Sequence, residues 1–287
     1  DDWRKFNGES FRLHQDGKLV YGNRIEAPQR GFPLEYRNIV VTARDESRFS
    51  LNLPTTFKIA FSSGQFSTPQ QDKYDKTYGV QQHGRVFYSM RGNTKNPKRI
   101  IVTFPGFGPS TTRISYAVSY MKQLTDAELQ DTLFVAFQDR YSVSGTYMLL
   151  DSAGREIRSE IEAVIAGFLS QYGLTDDKML IFGASKGAST ALVYADKFPK
   201  ARLLVAVPQM NLPYYFSKPF FYDNLYQFDA FHRIAQPVEY LRRYLDEGRS
   251  IDYFYTTNDE LSNCSTIEYA EGLPNLRKHR FDGVHGA

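Results

Sequence analysis

Seven residues decide the fold of this chain, Phe182-Gly183-Ala184-Ser185-Lys186-Gly187-Ala188. The short apolar run before them, residues 179–182, is typical of a buried parallel strand. The residues after them, 188–198, have helical composition and end before a proline. The pattern therefore predicts a tight strand-to-helix turn that holds the hydroxyl of Ser185 in the open.

Ser185 stands in a G-x-S-x-G pattern, in which the serine takes a strained backbone conformation. Strand and helix can pass closely only if the flanking positions are small, and Gly183 and Gly187 satisfy that need. A phosphate-binding loop is excluded, because its lysine follows the second glycine, whereas Lys186 precedes Gly187. A chance turn of small residues is the remaining alternative, and the partners of the serine decide between the two.

The base that would activate this serine is sought among five histidines. In this architecture the order along the chain is serine, acid, histidine. His285 lies between small residues beyond the last predicted strand, where a loop can bring an imidazole to Ser185. His279 sits among three basic residues, which indicates a surface role, and the other three histidines precede that last predicted strand. His285 is therefore the predicted base.

The acid is predicted in the loop after residues 251–256, an alternating aromatic and β-branched run that reads as a strand. Catalytic groups in an open parallel sheet gather at the carboxyl ends of the strands. Asp259 is the first choice and Glu260 the second, since either carboxylate can hold an imidazole in the required tautomer. The alternative is that both carboxylates cap the following helix.

An oxyanion hole completes such a site and needs two backbone N–H donors. Lys186, the residue after the nucleophile, is the first predicted donor. The second is Gly106 or Phe107, because both follow a convincing buried strand at 100–104 in a loop rich in Gly and Pro. A plain tight turn between strand and helix would carry the same residues.

From about Arg85 to the C-terminus the chain resembles the α/β-hydrolase superfamily on these residues. Predicted strands alternate with predicted helices, and the helix at 152–172 has the clearest apolar face. The predicted strands are at 86–90, 100–104, 133–137, 179–182, 203–207 and 251–255. This order predicts an α/β fold with a mostly parallel, doubly wound sheet and helices on both faces. The resemblance implies acyl-group chemistry at Ser185.

The G-x-S-K-G form of the motif and the closing Val284-His285-Gly286 are similar to those of a bacterial group. That group includes accessory-secretion acetyltransferases of serine-rich glycoproteins and capsule polysaccharide O-acetyltransferases. The resemblance implies transfer of an acetyl group from a donor such as acetyl-CoA, with no bound cofactor, to a hydroxyl of a glycan or polysaccharide acceptor. In this group a glutamate can serve as the acid, which keeps Glu260 open. An esterase that acts on a small or lipid ester would use the same residues.

Two further regions are predicted around the catalytic core. Residues 1–84 are expected to form a β-rich accessory module and linker, with strands at 38–42 and 56–61. Residues 85–287 are expected to form the catalytic domain. An aromatic insertion at about 211–249 is expected to form a lid over the serine or a small core of its own. Its candidate substrate-binding residues are Tyr214, Tyr215, Phe216 and Tyr222.

Composition limits the classes of partner. The chain has 287 residues and a net charge of +3, which is too small to indicate nucleic-acid binding. No apolar run approaches the roughly 20 residues of a membrane span, and no metal-ligand spacing occurs. Cys264, the single cysteine, rules out an internal disulfide. This favours a reducing compartment, and so a cytoplasmic location with membrane association through a complex left open, or a bacterial envelope protein that needs no disulfide.

The cations Arg140 and Lys186 are expected near the mouth of the site, where they would attract a CoA phosphate or an anionic polysaccharide. Because the chain lacks an initiator Met and stops two residues after His285, it is also expected to be a piece of a larger polypeptide or biosynthetic complex. The alternative to an enzyme is a non-catalytic carbohydrate-binding or assembly protein that uses the same scaffold.

Overall fold

The structure, a computed structural model, describes residues 10–24, 48–52, 75–106, 115–116, 120–121, 123–141, 145–151, 154–210, 237–259 and 274–285. The N-terminal part of these residues forms a three-stranded antiparallel sheet in the order β2-β1-β3. Its strands are β1 Ser10–Gln15, β2 Lys18–Arg24 and β3 Phe49–Asn52. The predicted β-rich character of this region is confirmed for these strands, whereas the strands predicted at 38–42 and 56–61 lie outside the described residues.

The larger sheet has the order β12-β11-β10-β9-β6-β8-β5-β4, with β7 paired to β8. Its described strands are β4 Gln81–His83, β5 Val86–Gly92, β6 Arg99–Phe104, β7 Ser115–Tyr116, β8 Thr132–Asp139, β9 Met179–Ala184, β10 Arg202–Ala206, β11 Ile251–Asn258 and β12 Leu276–Val284. The run from β12 to β8 is parallel, and β4, β5 and β7 are antiparallel. The six predicted strands are all present, and the prediction of a mostly parallel sheet is confirmed.

The longer α-helices described are α1 Arg158–Gln171, α2 Lys186–Tyr194 and α3 Pro237–Asp246, and residues 75–78 form a single helical turn. The predicted apolar face of α1 is buried. Its predicted start at 152 is wrong, because the carboxylate of Asp151 accepts the backbone N–H of Arg155 and Gly154 has φ +75°. The chain therefore turns before the helix begins. None of the helices that the structure describes is both long and apolar enough to span a bilayer.

The main core lies between these helices and one face of the sheet. Alternate residues of the parallel strands point into it, among them Val102, Val135, Ile181, Val205 and Tyr253. The ring of Phe104 stacks between those of Phe137 and Tyr194, with centroid separations of 5.4 and 4.8 Å. Burial of this apolar surface holds α2 against β6 and β9.

The order of the strands changes direction at β6, because the chain passes from β6 to β8 on one side and then returns to β9 on the other. In open α/β sheets such a switch point leaves a crevice at the carboxyl ends of the strands. Ser185 immediately follows the carboxyl end of β9, so the topology places it at this crevice.

Candidate active site

The turn between β9 and α2 has the strained geometry that the sequence predicts. Ser185 has φ 54° and ψ −123°, a combination that non-glycine residues rarely adopt. A Cβ on Gly183 would lie 2.1 Å from the carbonyl oxygen of Gly187, and one on Gly187 would lie 2.1 Å from that of Phe104. Neither position can carry a side chain without displacing backbone, so the prediction that both must be small is confirmed.

The backbone of Ser185 is held from two directions. Its N–H donates to the carbonyl oxygen of Ala206 on the neighbouring strand at 2.8 Å. Its carbonyl oxygen accepts the N–H groups of Ala188 and Ser189 in the first turn of α2. The strain is therefore supported by ordinary sheet and helix hydrogen bonds, and the side chain is left to point away from both.

His285 reaches this serine, and Asp259 reaches His285. The Nε2 atom of His285 is 2.6 Å from Ser185 Oγ, and its Nδ1 atom is 2.8 Å from Asp259 Oδ1. The side chains of His285 and Asp259 are 11% and 2% exposed. Two residues 100 positions apart in sequence thus meet in a site that is largely shielded from water.

Strand register explains why the acid and the histidine are adjacent. Asn258 at the end of β11 pairs with Val284 at the end of β12. Asp259 and His285 are the next residue on each strand, so parallel pairing delivers them together to the same edge of the sheet. Asp259, the first choice of acid, contacts the imidazole, and Glu260 lies outside the described residues.

The arrangement has the chemical capacity to remove a proton from Ser185. A neutral imidazole that donates its Nδ1 proton to Asp259 has an Nε2 lone pair that accepts the hydrogen of the serine hydroxyl. The carboxylate then fixes the tautomer and favours the imidazolium that forms on proton transfer. Low exposure strengthens both interactions.

In the loop after β6, Gly106 is not the free oxyanion donor that the sequence predicted. The N–H of Gly106 donates to the hydroxyl oxygen of Tyr120 at 2.9 Å, so this predicted oxyanion donor already has a partner. The ring of Tyr120 packs edge-on against Phe182, the residue that precedes Gly183 on β9. Burial raises the pKa of the Tyr120 phenol, although its backbone hydrogen bonds with Gly106 and Ala184 act in the opposite direction. Phe107, the alternative donor, lies outside the described residues.

Lys186 occupies the first position of α2, so its backbone N–H lies at the positive end of the helix dipole. Its side chain does not lie at the mouth of the site as predicted. The ammonium is completely buried, and its Nζ is 2.6 Å from Asp139 Oδ2. Burial lowers the pKa of Lys186, and the charge of Asp139 opposes that change.

Arg140 is also placed differently from the prediction. Its side chain is only 6% exposed, and it donates hydrogen bonds to Gln138 and to Asp75. Its guanidinium carbon lies 4.3 Å from the centre of the Phe87 ring. The expectation of exposed cations at the mouth is therefore wrong for both Lys186 and Arg140. The sequence places them after strands but does not tell which way the side chains turn.

The strand that leads to His285 is not apparent from the sequence. β12 covers Leu276–Val284, and its burial pattern shows no regular alternation because basic residues fill its first half. Charged residues are common on edge strands, where they discourage pairing with other chains. His279, predicted to have a surface role, is 40% exposed, with Nε2 3.1 Å from Asp252 Oδ1. Its ring stacks on Phe254.

Several candidate residues lie outside the described residues, and their predicted roles stay predictions. They are Tyr214, Tyr215, Phe216 and Tyr222 of the aromatic insertion, together with Phe107 and Glu260. Within the described ranges, no group of three or more His, Cys, Asp or Glu side chains is arranged to hold a metal ion.

Comparison with known proteins gives structural likeness only. No model of a protein family and no curated protein sequence matches the chain. A capsule O-acetyltransferase of Neisseria meningitidis serogroup A superposes with a TM-score of 0.50 at 16% identity, over 72% of this chain and 86% of that one. An S-formylglutathione hydrolase from Agrobacterium tumefaciens superposes with a TM-score of 0.51 at 15% identity, over 72% and 86%.

A third similar structure belongs to a glycosylation-associated protein complex from Streptococcus agalactiae. It has a TM-score of 0.50 and 14% identity, over 72% of this chain and 42% of that chain. Identities this low establish shared architecture and nothing finer. The parallel sheet, the strained serine turn after β9 and these likenesses together show that the chain has the α/β-hydrolase fold.

Proposed function

We propose that this chain is a serine-dependent acyl-transfer enzyme in which Ser185 is the nucleophile, His285 the general base and Asp259 the acid that orients it. The observation that carries the proposal is the continuous contact from Asp259 through His285 to the Oγ of Ser185, at 2.8 and 2.6 Å. A serine in a strained strand-to-helix turn, within reach of a base that a carboxylate orients, has the geometry of an activated nucleophile.

The first half of the reaction forms an acyl-serine. Ser185 Oγ attacks the carbonyl carbon of the acyl donor while its proton passes to Nε2 of His285. The resulting oxyanion is stabilised by backbone N–H groups, of which that of Lys186 is one. Phe107 is the better second donor, because the N–H of Gly106 is engaged by Tyr120. Collapse of the intermediate expels the leaving group, which takes the proton from His285.

The second half transfers the acyl group to an acceptor. An acceptor hydroxyl gives up its proton to His285, its oxygen attacks the acyl carbon, and the proton returns to Ser185 Oγ as that bond breaks. A sugar hydroxyl as acceptor gives an O-acylated glycan, and water gives hydrolysis. We propose that the acceptor is a bacterial surface polysaccharide or glycoprotein glycan. The proposed donor is acetyl-CoA or an acetyl ester. The structural likeness to a capsule O-acetyltransferase supports this assignment, and the likeness to a hydrolase supports the water reaction.

The test is the intact mass of the protein after brief exposure to acetyl-CoA and, separately, to an activated acetyl ester. Wild-type protein is expected to gain one acetyl group, and Ser185→Ala none. Ser170→Ala, which changes an exposed serine on α1, serves as the matched control and should be labelled like the wild type. Equal labelling of wild type and Ser185→Ala, or neither labelling nor ester turnover by the wild type, would overturn the proposal.

The choice between transfer and hydrolysis depends on exclusion of water and on placement of an acceptor. The measurement is the ratio of glycan acetylation to acetate release in the presence of a polysaccharide acceptor. A ratio that rises with acceptor concentration, at constant donor consumption, identifies a transferase. Release of acetate alone identifies an esterase. Binding of glycan that persists in Ser185→Ala, without turnover by the wild type, would favour the non-catalytic scaffold.

A further inference from the structure

A buried ion pair joins the residue that follows Ser185 to the last residue of β8. Lys186 Nζ and Asp139 Oδ2 are 2.6 Å apart, and the two side chains are 0% and 1% exposed. Removing a lysine from water is costly unless a charged partner compensates. The proposed mechanism uses only the backbone of Lys186, so its side chain needs a separate explanation.

Asp139 connects that lysine to a second loop. It is the last residue of β8, and its carboxylate also accepts the N–H of Thr146, at 3.0 and 2.9 Å to the two oxygens, and that of Met148 at 3.3 Å. The loop must come very close to the ion pair, because a Cβ on Gly145 would lie 2.2 Å from both Asp139 Oδ2 and Lys186 Nζ. Residues 145–148, here called the clasp, therefore enclose the pair.

The clasp is fixed from outside as well. Tyr147 and Met148 both have positive φ, 56° and 54°, which non-glycine residues adopt only when their surroundings impose it. The hydroxyl of Tyr147 donates to Gln209 Oε1 at 2.5 Å, and that of Tyr194 donates to the carbonyl oxygen of Met148. Tyr194 ends α2. The clasp thus joins β8, α2 and the loop after β10 around one ammonium group.

We propose that Lys186 and Asp139 are positioning residues for acyl transfer, whose ion pair, enclosed by the clasp, fixes the peptide between Ser185 and Lys186 and aims its N–H at the developing oxyanion. This inference rests on the proposed function. The anchored side chain and the donor N–H belong to the same residue, so a shift of the Lys186 side chain moves the N–H with it. Displacements of about 1 Å at a reacting centre cost about a hundredfold in rate.

The test compares Lys186→Met with Arg158→Met. Lys186→Met keeps an unbranched, apolar side chain, one heavy atom shorter, and removes the charged ammonium. Arg158→Met removes two ion pairs, with Glu162 and with Asp196. It therefore reproduces the loss of partly buried ionic contacts at a residue of α1, a helix that carries none of the proposed catalytic residues. For each variant, kcat and KM are measured with an activated acetyl ester, and Kd is measured for a boronic acid that forms a tetrahedral adduct on Ser185.

Lys186→Met is expected to lower kcat about a hundredfold and to weaken boronic acid binding by a similar factor, with KM nearly unchanged. Arg158→Met is expected to lower the melting temperature but to leave kcat and boronic acid affinity near the wild-type values. A role in stability alone would move the melting temperature of both variants and neither catalytic quantity.

Lys186→Met leaves the Asp139 carboxylate buried without its ammonium, so the double variant Lys186→Met/Asp139→Asn is measured as well. It removes both charges, and the amide oxygen of the new residue still accepts the N–H of Thr146. A folded single or double variant with wild-type kcat and boronic acid affinity overturns the positioning role and leaves the proposed function standing. Equal turnover by wild type and Ser185→Ala overturns the proposed function and the positioning role with it, so the two failures are distinct.

Discussion

Two aspartate–histidine pairs lie on the same two strands, and they have different surroundings. Near the amino ends of β11 and β12, Asp252 Oδ1 is 3.1 Å from Nε2 of His279. Just beyond their carboxyl ends, Asp259 Oδ1 is 2.8 Å from Nδ1 of His285. The residue types and the two strands are the same in both, but the register differs: Asp252 lies opposite Arg277, whereas Asp259 and His285 directly follow the Asn258–Val284 pair.

The third partner distinguishes the two pairs. Asp252 also accepts hydrogen bonds from Arg277 and Arg202, and His279 is 40% exposed. The second nitrogen of His285 instead meets the hydroxyl of Ser185, and the ring is 11% exposed. A carboxylate that is saturated by cations stabilises the sheet, whereas one that holds a shielded imidazole against a hydroxyl prepares proton transfer. Chemical identity alone does not distinguish a catalytic pair from a structural one.

The largest expected effect is that of the two histidines on catalysis. His285→Gln removes the base and should lower kcat by about 10⁴-fold or more. His279→Gln, a matched change within β12, should leave kcat within about twofold, because the described partners of His279 are Asp252 and Phe254 rather than Ser185. Steady-state kinetics with an activated acetyl ester measures both. Similar losses in the two variants would remove the distinction between the pairs.

The next largest effect on kcat is expected for the proposed acid, Asp259. Asp259→Asn is expected to lower kcat by about 10²–10⁴-fold, because an amide no longer favours the imidazolium and can hold the wrong tautomer. The same kinetics measures it, with circular dichroism to show that the variant is folded.

Glu260→Gln is the control for that experiment, because Glu260 is the alternative acid. It should keep nearly full activity. Loss of activity in Glu260→Gln together with retention in Asp259→Asn would transfer the role of the acid to Glu260.

A smaller effect is expected on stability when the first pair is broken. Asp252→Asn should lower the free energy of unfolding by only roughly 1–2 kcal/mol at pH 7, since its partners Arg202 and Arg277 are 65% and 48% exposed. Urea denaturation measures it, and kcat should stay close to the wild-type value. A large loss of kcat in a folded Asp252→Asn variant would contradict a purely structural role.

The stability effect of Asp252→Asn should depend on pH. Hydrogen bonds from Arg277, then from His279 and Arg202, hold the pKa of Asp252 well below its usual range. The stabilisation is therefore complete above the unfolded-state pKa of about 4 and is lost as the pH falls toward the folded-state value. The difference between wild type and Asp252→Asn should shrink below about pH 4. A difference that stays constant down to pH 2.5 would contradict this.

The smallest effect is expected for His279→Ala. It removes one hydrogen bond and the stacking on Phe254 at an exposed position, so the free energy of unfolding should fall by about 0.5–1 kcal/mol. Urea denaturation at pH 7 measures it, with Asp252→Asn as the reference. A loss larger than that of Asp252→Asn would mean that His279, and not the arginines, is the main partner.

Local sequence was sufficient for the serine turn, and it narrowed the choice of its partners. Gly183 and Gly187 are required by close contacts with backbone near Ser185 and with the adjacent strand β6. This requirement appears in the sequence as the two glycines of the G-x-S-x-G pattern. The order of serine, acid and histidine likewise led to Asp259 and His285. The alternation of strands with helices predicted the parallel sheet, because each buried strand can be recognised by its own short apolar run.

Side-chain direction and edge-strand pairing were not readable in the same way. Arg140 was expected at the mouth of the site because it follows a strand, and Lys186 because it adjoins Ser185, yet each is buried against an aspartate far away in sequence. β12 was missed because its basic residues interrupt the apolar pattern of a strand, and its parallel pairing with β11 is visible only in the folded structure.

The sequence by itself determined the serine turn and the class of the sheet, and it narrowed the predicted base to His285 and the predicted acid to Asp259 or Glu260, because each of these depends on spacing, residue size or local apolar pattern. Only the tertiary structure decided which of two aspartate–histidine pairs reaches Ser185, and that the ammonium of Lys186 lies under the turn with Asp139. The physical reason is that charge pairing and desolvation depend on which distant residues share a small volume, and that volume exists only after the strands have paired.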